Sequence, residues 1–96
     1  MNQLTADEIA AALRTLPAWK IVENKLHREY KFADFIHAFG FMATAAIAIE
    51  KMNHHPEWSN VYNRVTVDLT THDAGGITNM DVELAHMLET LAGKLA

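Results

Sequence analysis

The segment Glu50-Lys51-Met52-Asn53-His54-His55-Pro56-Glu57-Trp58 decides how the chain is organised, because a long helix has to end within it. Pro56 disfavours helical geometry at the residue before it, so the chain leaves the helix extended at His55. Two adjacent imidazoles therefore stand at a helix exit. Histidine has an unperturbed pKa of about 6.5 and exchanges protons near neutrality. The segment thus indicates proton-transfer chemistry at the end of a helix.

A long apolar helix leads into this exit. Asp34 can cap a helix that runs from residue 35 to about residue 53. Apolar residues form one stripe and a second set around it, namely Phe35, Ala38, Met42, Ala45, Ile49 and Met52, then Ile36, Phe39, Ala43, Ala46 and Ile47. A helix that covers one face of a sheet needs only one stripe. We therefore expect the surplus to meet another subunit in a homo-oligomer, either a dimer or a tetramer. The alternative is a helix fully buried in the core.

Strand patterns lie on both sides of this helix in the sequence. Residues 19–22 and 26–32 read as two strands joined by a turn at Glu23-Asn24, and residues 58–62 and 64–71 as two more. Capping-box spacings, Thr5 with Glu8 and Thr78 with Asp81, open a first and a last helix. The pattern predicts an α+β fold in a single domain, residues 1–96. Its four-stranded antiparallel sheet has three helices packed on one face, in the order α-β-β-α-β-β-α.

Composition limits the classes of function. The 96 residues carry a net charge of -4 and contain no cysteine. The absence of cysteine excludes a disulfide framework, a thiolate nucleophile and a cysteine-based zinc site, and the negative charge argues against nucleic-acid binding. The most apolar segment, residues 38–49, is short of the roughly 20 residues that cross a bilayer. Residues 1–8 lack the pattern of a signal peptide. We expect a cytoplasmic protein with neither nucleic-acid nor membrane partners.

Three histidines stand at the ends of predicted elements. Glu50 lies four residues before His54, so the carboxylate can fix the tautomer of that imidazole if the helix runs so far. His55, forced extended, must point elsewhere, so the two rings can address different atoms of one ligand. His72 ends the last strand and could reach the same cleft. Neighbouring side chains could supply hydrogen bonds there, namely Thr70, Thr71 and Asp73.

Plainer interpretations exist for other polar residues. We expect His27, His37 and His86 simply to be solvated. Asp81 stands where a carboxylate closes a helix cap with Thr78, so its default role is structural. Zinc binding is the first alternative to acid–base chemistry as a role for the three histidines. Successive side chains on an extended chain diverge, and no His-x-His or His-x-x-x-His pair is present, so we expect no metal.

The spacing of these residues resembles the signature of the pterin-4a-carbinolamine dehydratases. The pattern runs Glu50, three residues, His54-His55-Pro56, five residues, Tyr62, nine residues, His72, eight residues, Asp81. The likeness extends to Trp19 and to residues 55–63 and 70–73, so it covers nearly the whole chain. So many residue types at fixed gaps make a specific signal.

The resemblance implies a reaction and a set of roles. Water would be removed from a 4a-hydroxytetrahydropterin, left by aromatic amino-acid hydroxylation, to give the quinonoid dihydropterin without metal or cofactor. The catalytic candidates are the three histidines: His54 and His72 as the acid–base pair and His55 binding the substrate near the 4a-hydroxyl. Glu50 would orient a histidine or contact the pterin. Residues 54–56 and 71–74 would line the pocket with Asp81 in support, which adds Pro56, Thr71, Asp73 and Ala74 to the candidate site.

Two positions depart from the family's pattern. Some members have an aspartate where this chain has Asn53, and some have a basic residue where it has Met80. Two alternative functions also stay open. The same family includes a dimerisation cofactor of a homeodomain transcription factor, which binds through the long second helix. A related protein could also act on another pterin, such as the molybdenum-cofactor precursor, because the sequence does not fix the side chain of the pterin.

Overall fold

The computed structural model describes residues 2–95. Within them the chain forms three helices and four strands, with one 3-10 turn before the last helix. In order they are α1 (Ala6–Thr15), β1 (Lys20–Val22), β2 (Lys25–Lys31), α2 (Phe35–Met52), β3 (Glu57–Val61), β4 (Arg64–Leu69), the 3-10 turn His72–Ala74, and α3 (Asn79–Leu95). The predicted α+β fold and its element order are confirmed.

The four strands form one antiparallel sheet in the order β1-β2-β4-β3. The turn between β1 and β2 is the predicted Glu23-Asn24 pair, and both residues have positive φ, 51° and 62°. That geometry is typical of the two-residue turns whose twist matches antiparallel strands. β4 lies between β2 and β3, so the end of β4 is near the start of β3 on one side and the start of β2 on the other.

One face of the sheet carries the core, and the helices cover it. Side chains on β2 and β4 alternate, so Leu26, Tyr30, Val65, Val67 and Leu69 face the helices and are buried. The opposite face, here called the open face, carries polar and charged side chains. The helices contribute buried residues from α2 and α3 to the same core cluster, which agrees with an antiparallel sheet covered on one side.

Helix ends follow the predicted caps. Thr5 and Glu8 form a complete capping box at the start of α1. Asp34 accepts a hydrogen bond from the amide of His37 at the start of α2. α2 ends at Met52, and Asn53 follows in the left-handed conformation with φ 53° and ψ 41°. Asparagine adopts this conformation more readily than most residues. The helix therefore ends before the histidine pair, with Asn53 between its last residue and His54.

The buried side of α2 follows most of the predicted stripe, since Ala38, Ala45 and Ile49 are buried and Met42 and Met52 pack against the core. The fully covered residues are Ala38, Phe41, Ala45 and Ile49. Phe41 was in neither predicted set, whereas Phe35, predicted in the stripe, is 48% exposed. Phe41 was missed and Phe35 misplaced because apolar residues surround this helix, so the pattern alone does not set the edges of the buried side. Three more apolar side chains remain 56–78% exposed, namely Ile36, Phe39 and Ile47.

The hydropathy of α2 also bears on membranes. Its 18 residues have a mean hydropathy of 1.3, so by length and composition alone it could cross a bilayer. The core helix of a globular domain passes the same test, and Phe41 and Ala45 of α2 lie in the core cluster. A single such helix is therefore weak evidence for a membrane-spanning segment.

Candidate active site

The three histidines of the predicted site line one cleft. It has a volume of about 240 Å³ and lies where the exit of α2 meets the end of β4. Its lining residues are Asn53, His54, His55, Thr70, Thr71, His72 and Asp73. Four candidates stand outside this lining, namely Glu50, Pro56, Ala74 and Asp81. The carbonyl of Ala74 accepts a 2.9 Å hydrogen bond from the side-chain amide of Gln3.

His54 is buried and pairs with Asp81 of α3. Its Nε2 lies 2.6 Å from Asp81 Oδ1, and the Asp81 carboxylate is fully buried. The other oxygen, Oδ2, accepts hydrogen bonds from the Thr71 hydroxyl at 2.8 Å and from the Thr78 amide at 2.9 Å. An ionised carboxylate only accepts, so Nε2 of His54 carries a proton and Nδ1 is left as the nitrogen that can exchange one. Asp81 thus caps α3, as predicted, and also fixes the tautomer of His54.

Glu50 pairs with His55, not with His54 as the helical spacing predicted. Glu50 Oε1 lies 2.9 Å from His55 Nε2. The i,i+4 relation fails because the left-handed Asn53 ends the helix before His54, which then turns inward toward Asp81. Glu50 and His55 have side chains that are 81% and 58% exposed. Their pair is therefore held weakly and can rearrange around a ligand.

His72 lies on the 3-10 turn after β4 and pairs with Glu57, the first residue of β3. His72 Nε2 is 3.0 Å from Glu57 Oε2, and Lys25 Nζ donates a 2.6 Å hydrogen bond to Glu57 Oε1. This hydrogen bond from Lys25 lowers the pKa of Glu57 and raises the pKa of Lys25. Sequence reasoning missed both residues as parts of the site. The available signal was Glu57 itself, one residue after the His-His-Pro run.

The loop that carries His72 is tied down by the N-terminal segment. Thr71 and Gly76 form an isolated bridge across the loop, and Gly75 adopts φ 77°, which suits glycine. The amide of Leu4 donates to the carbonyl of Ile77 at 2.8 Å. A β-carbon on Gly76 would lie 2.7 Å from Gln3 Oε1, so the Gln3 side chain occupies that space. Gln3, also missed from the sequence, thus supports one wall of the cleft.

A larger hollow of about 400 Å³ lies elsewhere, between β2 and α3. Arg28 there is 3.0 Å from Glu89, whose carboxylate also accepts a 2.6 Å hydrogen bond from the Trp19 indole. The Tyr30 hydroxyl is buried, and burial, with the Glu89 charge second, raises its pKa. Because its charged groups neutralise one another, this hollow is a poorer candidate for chemistry than the histidine cleft.

The prediction that the remaining three histidines are simply solvated was wrong, because each of them has a side-chain partner. His27 Nδ1 lies 2.8 Å from Asp68 across the sheet, His37 bonds its own cap residue Asp34, and His86 contacts the Thr15 hydroxyl at 3.1 Å. None of these three lines the cleft. Among residues 2–95, no three histidine, aspartate or glutamate side chains are arranged to hold a metal ion.

Fold and cleft together define the class of protein, a small α+β domain in which three imidazoles line one cleft and each lies beside a carboxylate. The chain belongs to the pterin 4 alpha carbinolamine dehydratase family, whose model matches residues 2–91. The resemblance predicted from the residue spacing is therefore confirmed, and the family supports a dehydratase.

Individual relatives agree with this assignment. A Solibacter usitatus protein with the provisional name pterin-4-alpha-carbinolamine dehydratase is 67% identical over 91 residues, which is 95% of this chain and 96% of that protein. A Brucella ovis protein with the same provisional name is 48% identical over 94 residues, covering 96% and 97% of the two chains. A crystal structure of a protein from Brucella melitensis, described as a transcriptional coactivator/pterin dehydratase, matches this structure with a TM-score of 0.93 and 48% sequence identity. The match covers 96% of this chain and 100% of the Brucella melitensis chain.

Proposed function

We propose that this protein removes water from a 4a-hydroxytetrahydropterin to give the quinonoid dihydropterin, and that this step recycles tetrahydropterin after aromatic amino-acid hydroxylation. The observation that carries the proposal is that three imidazoles line one cleft, each beside its own carboxylate: Asp81, Glu50 and Glu57. A cytoplasmic location, which the cysteine-free composition fits, belongs to the same proposal.

The chemistry needs two proton transfers and no change of oxidation state. The bond between carbon 4a and the hydroxyl oxygen breaks, a proton on that oxygen completes the water molecule, and the proton on N5 is withdrawn as the C4a–N5 double bond forms. Both are tasks for a general acid and a general base with pKa values near the working pH. Imidazoles meet this requirement without a metal or a bound cofactor.

The environment of each histidine suggests its role. His54 and His72 are the acid–base pair, as the family resemblance implies; in each, Nε2 is directed at a carboxylate and Nδ1 remains for the substrate. His55, exposed and paired only with exposed Glu50, binds the pterin near the 4a-hydroxyl. Thr71 and Asp73 line the cleft and can hydrogen-bond the ring. Asp81 holds His54 in place.

The size of the cleft fits the pterin ring better than a whole substituted pterin. Ligand pockets usually enclose about 300–1,000 Å³, and this cleft of about 240 Å³ is smaller. We infer that the bicyclic ring enters and that the side chain of the pterin extends into solvent. The site would then discriminate weakly between side chains, so related pterins are also candidate substrates.

The test is the rate at which 4a-hydroxytetrahydropterin, generated in situ, loses water. The protein should accelerate this decay above the spontaneous rate, and His54→Ala and His72→Ala should each lose about 10²–10⁴-fold, the usual contribution of a general acid or base. His86→Ala is the matched control, since His86 lies on α3 away from the cleft and should retain full activity. Decay at the spontaneous rate with the folded wild-type protein would reject the proposal.

The exposed side of α2 favours a second role for the protein, in assembly. Phe35, Ile36, Phe39 and Ile47 of α2 are 48–78% exposed, which is unusual for such large apolar side chains on one helix. We propose that this helix face joins copies of the chain into a dimer or tetramer. The alternative occupant is a helix of another protein, as the coactivator description of the Brucella melitensis structure suggests.

Light scattering separates these possibilities. The wild-type protein should have a mass that is a multiple of the monomer mass, and Ile36→Asp with Phe39→Asp should reduce it to a monomer, because buried charges oppose association. His37→Ala, between them in sequence and exposed, serves as control. A wild-type monomer would exclude self-assembly and leave the interaction module as the explanation of the exposed face.

A further inference from the structure

Glu57 joins the candidate site to a residue of another strand. It is the first residue of β3, and its two carboxylate oxygens have different partners, Lys25 at 2.6 Å and His72 at 3.0 Å. Lys25 begins β2, two strands away from Glu57 in the sheet order. The contact therefore spans the open face of the sheet across β4.

The position of Glu57 is electrostatically unfavourable without its partners. Its direct neighbour across the strand pair is Asp68 of β4, and like charges directly opposite each other destabilise a sheet. Each carboxylate has its own counter-group, Lys25 for Glu57 and His27 for Asp68 at 2.8 Å. The carboxylate of Glu57 is thus kept ionised where its second oxygen reaches His72.

His72 itself is poorly restrained by packing. Its side chain is 78% exposed and lies on a single 3-10 turn. Among residues 2–95, Glu57 is the one residue that forms a hydrogen bond with the ring of His72. Because an ionised carboxylate accepts only, Nε2 of His72 carries the proton in the neutral ring and Nδ1 is left to exchange one.

We propose that Glu57, held by Lys25, is a positioning residue that fixes the ring orientation of His72 and its Nε2–H tautomer. The proposal rests on the proposed function, in which His72 transfers a proton to or from the pterin. Lys25 acts through Glu57 and does not touch the substrate. The orientation of His72 therefore depends on the ion pair between Lys25 and Glu57, which lies on the open face of the sheet and outside the cleft.

Three variants and two matched controls test this. Glu57→Ala removes the contact, Glu57→Gln keeps an acceptor oxygen without the charge, and Lys25→Met removes the anchor. The controls Glu29→Ala and Lys20→Met change residues of the same charges on the open face, and neither forms an ion pair among residues 2–95. The first readout is the tautomer of His72 from its side-chain ¹⁵N shifts, which needs no substrate. The second is kcat and KM for dehydration.

We expect the Nε2–H fraction of the neutral His72 ring to be higher in the wild-type protein than in Glu57→Ala, where it should fall to that of a solvent-exposed histidine. The variant should lose about tenfold in kcat with little change in KM, part of the general acid–base contribution. Glu57→Gln and Lys25→Met should lose less, and the controls should match the wild-type protein. A wild-type tautomer in Glu57→Ala, or a kcat equal to that of Glu29→Ala, would overturn the proposal. If the wild-type protein does not accelerate dehydration, the proposed function fails, and the tautomer comparison alone decides the claim about His72.

Discussion

Replacing Asp81 by alanine should be among the most destabilising single substitutions in this domain. The carboxylate is fully buried and accepts from three groups: His54 Nε2 at 2.6 Å, the Thr71 hydroxyl at 2.8 Å and the Thr78 amide at 2.9 Å. Alanine leaves all three without this acceptor. Two of those side chains, His54 and Thr71, are themselves buried, so water replaces the lost contacts poorly.

The size of the loss follows from these contacts. A hydrogen bond to a charged group contributes about 1.5–3 kcal/mol, so three at the lower value give about 4–5 kcal/mol. In a domain of this size each kcal/mol lowers the midpoint of thermal unfolding by about 4–8 °C, so a drop of at least about 16 °C is expected. Asp81→Asn keeps one acceptor oxygen and should lose less.

The assay is thermal and urea unfolding followed by circular dichroism, with dehydration activity measured well below the transition. Glu83→Ala, an exposed acid on the same helix, is the control and should unfold almost as the wild type does. The folded fraction of Asp81→Asn should also show a lower kcat, because His54 loses the partner that fixes its tautomer. If Asp81→Ala unfolds at the temperature of Glu83→Ala, the Asp81 carboxylate is not the buried acceptor of these three hydrogen bonds.

Other substitutions test the supporting structure. The pKa of Asp34 is lowered because its carboxylate accepts from the amide and ring of His37, so this cap stabilises above the unfolded-state pKa and is lost as pH falls through the lower folded-state pKa. Asp34→Ala should therefore lower the unfolding midpoint at about pH 6 and match the wild type at about pH 2. Gly76→Ala should displace Gln3 and its hydrogen bond to the loop, so its effect on the urea midpoint should largely vanish in a Gln3→Ala background. Glu50→Ala should leave the unfolding midpoint nearly unchanged, because its pair is exposed, but raise KM for the pterin more than it lowers kcat.

The parts of the fold that local chemistry determines could be predicted from the sequence. The caps at Thr5 and Asp34 and the Glu23-Asn24 turn depend on residues within three positions of one another, and all three are present. The element order followed from the periodicity and these boundaries. The edges of the buried side of α2 could not be predicted, because apolar residues surround the helix and only contact with the sheet selects Phe41 over Phe35.

The three histidines of the candidate site were predicted, but their carboxylate partners were not. The three histidines line one cleft, as expected from their positions at element ends. The helical spacing predicted a contact between Glu50 and His54, but Asn53 ends the helix in the left-handed conformation, and Glu50 contacts His55 instead. The partner of His54 is 27 residues away, and the separation of Glu57 from Lys25 is 32 residues. Such pairs depend on strand register and helix packing, which no local pattern encodes.

The tie between the N-terminal segment and the His72 loop has a consequence for biosynthesis. Leu4 bonds Ile77 and Gln3 bonds Ala74, so residues made early hold a wall of the cleft that is made some seventy residues later. Closing so long a loop is entropically costly until the intervening sheet has formed. A ribosome-bound chain shorter than about eighty residues thus lacks this wall, as well as Asp81. Nascent chains should remain unable to bind a pterin until translation is nearly finished.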